Sequence, residues 1–140
     1  MYNFVQKFHS GWAYLALLLL FVAVINSLMG YLSKKEFQPK DRKIALFALI
    51  AIHIQLVVGL ILYFVSPLGK DSLGNMKDAA LRLTSLEHPL INIIAIALIT
   101  IGWSKHKKGT TSEAKFKPLS FLYAIGLLLI LIRIPWSMWL

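Results

Sequence analysis

Five side chains able to bind protons, metals or anions lie in or beside stretches made otherwise of leucine, isoleucine, valine and alanine: His9, His53, Glu87, His88 and Arg133. An ionisable group in such a place is costly unless it pairs with or binds something. For a lone membrane histidine the plain reading is a hydrogen-bonded packing residue. Three of them on three separate segments favour a shared ligand. Imidazole nitrogen is a common axial ligand of haem iron, and helix bundles build cofactor sites from side chains on facing helices. Arg133 reads as the ion-pair partner of Glu87, or as an arginine snorkelling toward the interface. Its planar fork also suits the acidic edge of a cofactor such as a haem propionate, a role compatible with the ion pair.

Four apolar runs must position these groups. The chain has 140 residues, 58% of them hydrophobic and only 15% charged, with a mean hydropathy of +0.69. A soluble domain would carry about a quarter charged residues. The runs predict transmembrane helices at about 10–33, 43–66, 83–104 and 118–136, each long enough to cross a bilayer at ~1.5 Å per residue. The expected fold is all-α: an integral membrane four-helix bundle, up-down-up-down, forming one domain over 1–140. Asp41 suits the N-cap of the second span, and Thr84 with Glu87 suits a capping box for the third. Residues 76–85 are amphipathic, reading either as an interfacial helix or as the first turns of that third span.

Small residues mark the packing faces. His9, Ala16, Ala23 and Gly30 recur every seventh residue in the first span. Ala48, Ala51, Gln55 and Gly59 line a seam of the second, rotated well away from His53. His88, Asn92, Ala95, Ile99 and Gly102 share one face of the third, and Tyr123, Gly126, Ile130 and Arg133 one face of the fourth. Seams of this kind let helices approach closely within lipid.

Ten of the fifteen basic residues fall in the first and third loops, on one side of the bundle. This is the positive-inside pattern, and it predicts a multi-pass protein of a bacterial cytoplasmic (inner) membrane with both termini outside. Topology accounts for the net charge of +9, so nucleic acid is not an expected partner. The partners expected are the lipid bilayer and either a membrane complex or further copies of the chain. The absence of cysteine excludes disulfides, thiolate metal sites and covalent c-type haem, while leaving b-type haem open. The first segment lacks a small-residue cleavage site and reads as a retained helix.

On this topology His53 lies near the bilayer midplane, with His88 and Arg133 roughly 10 Å and His9 about 18–20 Å toward the outside. His53 and His88 are the favoured haem-iron ligands, with Arg133 toward the propionates. His9 then serves a second haem site or a quinone pocket. His106, among the lysines of the third loop, reads as a solvated or headgroup-level histidine.

The segments HSGWAYL, AIHIQLVVGLILYFVSP, LEHPLINIIAIALITIGWSK and RIPW resemble a family of small four-helix bacterial membrane proteins labelled cytochrome b-like. The resemblance covers nearly the whole chain and rests on His9, His53 and His88, with Gln55 and Glu87 beside two of them. It implies haem b bound through transmembrane histidines and electron transfer with quinone or an outer-side partner. Larger four-helix b-type cytochromes usually carry two histidine pairs, and here a fourth membrane histidine is missing.

Three other readings remain. The chain could be a non-catalytic accessory or assembly subunit whose seams meet partner helices, or a small proton or solute transporter using His53 and Glu87. A zinc or iron site built from His88, Glu87 and His9 is the third. No serine–histidine–acid set or H-E-x-x-H pattern appears, so an electron carrier or subunit is expected rather than a stand-alone enzyme.

Overall fold

A computed structural model describes residues 1–136. Trp136 and Trp139 read from the sequence as interfacial tryptophans at the end of the fourth span, and Trp139 lies outside the described residues. Four long helices form: α1 (Tyr2–Leu32), α2 (Pro39–Val65), α3 (Ala79–Lys108) and α4 (Ser112–Ile132). A single 3₁₀ turn, Lys70–Ser72, lies between α2 and α3. The helices are long and apolar enough to cross a membrane. Only between 22% and 39% of each span's most apolar window is buried, so side chains such as Phe47, Val57, Phe64 and Leu128 face outward. Apolar area on that scale suits lipid rather than water. The chain is a multi-pass membrane helical bundle.

The packing forms a ring in which α1 meets α2 and α4, and α3 meets α4 closely and α2 more loosely. The predicted seams are where the helices touch. Ala16, Ala23 and Gly30 of α1 are buried, as are Ala48 and Ala51 of α2, Ala95, Ile99 and Gly102 of α3, and Tyr123, Gly126 and Ile130 of α4. A Cβ on Gly126 would stand 2.6 Å from Ile99 Cγ1 and 3.1 Å from the Ala95 carbonyl, so α3 and α4 are in backbone contact there. Tyr123 donates its hydroxyl proton across the interior to the Ala45 carbonyl, 3.0 Å away.

Helix ends depart from the sequence reading for local reasons. Gln38, not Asp41, is the N-cap of α2; Pro39 starts the helix, and Asp41 reaches back to accept the Gln38 N–H at 2.8 Å. Asp41 is 1% exposed and also accepts hydrogen bonds from Asn26 and Lys35. Asp78 caps α3, so Thr84 and Glu87 lie within a continuous helix and form no capping box. Residues 79–85 are thus the first turns of the third span. The fourth helix begins at Ser112 and runs through Pro118.

The short loops 33–38 and 109–111 close what we term the basic end. His106 is not solvated there: it is 3% exposed, packed between Phe37 and Trp103 at ring-centroid distances of 4.9 and 5.0 Å. Helix α3 extends past the apolar run, and the first loop folds Phe37 back over it.

Candidate functional site

At the opposite end, His9 of α1 and His88 of α3 come together, with ring centroids 6.4 Å apart and planes at 83°. Their proximity follows from where each helix starts. Helix α1 begins at Tyr2, which sets His9 two turns inside the helix rather than at its mouth. His88 sits directly after a π-helical turn, Leu83–Glu87, and its N–H reaches back five residues to the Leu83 carbonyl. Pro89 has no N–H for the Ser85 carbonyl, and the hydroxyls of Thr84 and Ser85 both turn to Leu81 O. These substitutions weaken regular α winding at this point, and π turns of this kind frequently mark functional sites.

The two imidazoles border a cavity of about 220 Å³ whose lining includes Gln55, Gly59, Asn92 and Ile130. It opens between α2 and α3 past Leu60 and Ile93, which line it and are also 40% and 47% exposed. Gly59 makes room for one ring, since a Cβ there would stand 3.1 Å from His9 Cε1. Two side chains fasten α1 to α2 around that contact. Trp12 Nε1 donates to the Ala51 carbonyl at 2.9 Å, and Gln55 Nε2 donates to the His9 carbonyl at 2.8 Å. Among the described residues His9 Nδ1 and Gln55 Oε1 are buried without a hydrogen-bond partner. Buried polar atoms are nearly always paired, so these two mark where a ligand or water belongs.

His88 is held by its other nitrogen. Nδ1 lies 2.9 Å from the Arg133 carbonyl, which has no proton to give, so the proton sits on Nδ1 and donates to that oxygen. Asn92 Nδ2 is 3.1 Å from the same nitrogen and directs a hydrogen to the His88 carbonyl. Nε2 of His88 therefore keeps its lone pair. Metal-bound histidines are oriented in this way, with the distal N–H on a backbone carbonyl.

Above the pair, Glu87 is shared by two arginines. Its Oε2 accepts from Arg82 Nε at 3.1 Å, and its Oε1 lies 3.9 Å from Arg133 Nε. Arg82 also donates to the Met76 carbonyl at 3.0 Å. These groups are a third to a half exposed, so the cluster adds little stability in itself. With one carboxylate between two guanidinium groups, it leaves an excess positive charge at the rim.

His53 lies apart. Its Nδ1 donates to the Leu49 carbonyl at 2.8 Å, and its Nε2 is 3.4 Å from Thr100 Oγ1, whose own proton goes to the Ile96 carbonyl at 2.7 Å. It borders an outward groove with Ile50, Ile54 and Val57, not the His9–His88 cavity. The structure thus brings His88 to His9 rather than to His53. The seam of α2 that faces the cavity carries Gln55 and Gly59, and His53 is rotated off it. Nor do His9, His88 and Glu87 converge as a three-ligand metal set among the described residues, because Glu87 turns to its arginines.

His9 and His88, with ring centroids 6.4 Å apart at the edge of the cavity, are the residues that would hold a metal-bearing ring here. A 150 Å³ cavity holds a benzene molecule, so the enclosed space here takes a small ring system. A porphyrin would need the open side between α2 and α3 as well.

Arg82 joins the site through Glu87 with no sequence signal beyond its place in the amphipathic stretch, and Gln55, a seam residue beside His53 in the sequence reading, faces the His9–His88 cavity. The four-residue spacing of Gln55 and Gly59 was the available signal for the latter. No protein family, curated protein or solved structure matches the chain.

Proposed function

We propose that the chain is a small b-type cytochrome-like electron-transfer protein of a bacterial cytoplasmic membrane, with the basic end in the cytoplasm and both termini outside. The observation that carries this reading is the His9–His88 pair on facing helices, with His88 oriented by the Arg133 carbonyl. Haem, when bound, supplies a centre that takes up and releases single electrons. The chain's part is to present two imidazole nitrogens, to keep the site apolar, and to offer Arg82 and Arg133 to the acidic edge. Electrons pass to or from quinone or a partner outside the membrane.

Purified protein in detergent, supplied with haemin, should show a Soret band that shifts on dithionite reduction. His9→Ala and His88→Ala should each remove that spectrum, whereas His53→Ala and His106→Ala should keep it. A preparation that stays colourless with added haemin, or a spectrum lost only in His53→Ala, overturns the proposal.

The cavity volume favours a second reading, in which a quinone ring itself enters and meets His9, Gln55 and His88. A short-chain quinone should then quench fluorescence in the protein lacking haem, through Trp12 beside the site, and Gln55→Leu should weaken that binding.

A further inference from the structure

The basic end holds a feature that no redox role uses. Five side chains from the first loop, the first turns of α2 and α4 and the end of α3 stack in a row. The Lys115 ammonium lies 5.7 Å from the Phe37 ring centre, Phe37 meets His106, His106 meets Trp103, and the Arg42 guanidinium lies 5.4 Å from the Trp103 ring. The row is braced from below by Phe116, 4.8 Å from Phe37, and by the Phe37 N–H donating to Ser112 Oγ at 2.9 Å. A cation thus caps each end of an aromatic stack, held on a ring face rather than free in solvent.

Among the described residues nothing acidic pairs with these two cations. Asp41 is buried and taken by Lys35, Asn26 and the Gln38 N–H, while Glu36 and Glu113 form no ion pair among the described residues. The charged groups acting on the His106 ring are Arg42, Lys115 and Lys107, all of one sign. His106 Nδ1 is buried and has no hydrogen-bond partner among the described residues. The row lies at the end of the spanning helices, where the apolar runs give way to basic residues.

We propose that this end binds anionic phospholipid headgroups through Arg42 and Lys115, the cations that cap the Phe37–His106–Trp103 stack. The cations are already in place, so binding orders few side chains, and the aromatic rings beside them suit the boundary between acyl chain and headgroup. Phospholipid is favoured over nucleic acid because the stack is part of a membrane-spanning bundle, at its edge.

The test compares the full chain in phosphatidylcholine nanodiscs with and without phosphatidylglycerol. Phosphatidylglycerol should raise the unfolding midpoint, and native mass spectrometry should find it retained on the protein. Raised salt should weaken both effects. Arg42→Gln with Lys115→Gln should lower retention about thirtyfold, and Lys70→Gln with Lys77→Gln at the far end should leave it unchanged. If the first double variant fails to fold, the wild-type comparison of lipids decides alone. Equal midpoints in both lipids overturn the proposal, as does full retention by the Arg42/Lys115 variant or preferential capture of RNA by these two residues.

Discussion

His88 is anchored to Arg133 through the backbone, not through the guanidinium: the imidazole Nδ1–H donates to the Arg133 carbonyl at 2.9 Å. The side chain of Arg133 is engaged elsewhere, 3.9 Å from Glu87 and with Nη1 donating to the Ile132 carbonyl at 3.3 Å, and it is 45% exposed. One residue at the end of α4 therefore orients the ring of α3 and contributes charge to the rim by separate groups. Arg133→Ala should keep His88 in place, and stability should change by less than about 1 kcal/mol because the ion pair is exposed. Its haem affinity should nonetheless fall, and its reduction potential should move relative to wild type. An unchanged potential together with unchanged affinity would show that the guanidinium does not meet the cofactor.

Gly59 is a sharper test of the cavity, since His9 packs where its side chain would be. Gly59→Ala requires His9 to give by a few tenths of an ångström, whereas Gly59→Leu must push the ring aside. Overpacking of this kind costs about 1–3 kcal/mol. Haem or quinone binding should be lost in Gly59→Leu while circular dichroism retains the full helical signal.

At the other end, Asp41 should carry stability with no effect on the cavity. Asp41→Ala leaves Lys35, Asn26 and the Gln38 N–H without their shared acceptor, and a buried donor deprived of its partner costs about 1–3 kcal/mol. Unfolding in detergent measures the loss, and a Soret spectrum of wild-type intensity at low temperature shows that the site survives.

The contact between α3 and α4 at Gly126 brings two helix backbones together and is a direct place to perturb the bundle. Gly126→Ala sets a methyl group 2.6 Å from Ile99 and 3.1 Å from the Ala95 carbonyl, and backbone cannot rotate away as a side chain does. A lower unfolding midpoint is expected in lipid as well as detergent, and Ile99→Ala in the same chain should recover part of it.

The bundle could be read from sequence because each helix carries its small residues at helical spacing, and Ala16, Ala23, Ala48, Ala95 and Gly126 are all found inside. Pairing within the site was harder to read. Depth along a helix depends on where that helix begins, and Tyr2 and Ala79 begin theirs well before the apolar runs do. Rotation is legible, since Gln55 and Gly59 define a face of α2 that excludes His53, and it is rotation, not depth, that decides which histidine meets His88. The burial of His106 depends on Phe37, distant in sequence and brought over it by loop closure, and no spacing along α3 reports that.

The π turn at Leu83–Glu87 holds one residue more than regular winding requires. Removing that residue would swing everything before His88 by about 100° while leaving Ala95, Ile99 and Gly102 in their existing contacts. The aim of Arg82 and Glu87 at the rim is thus set by one inserted residue, apart from the helix contacts of Ala95, Ile99 and Gly102.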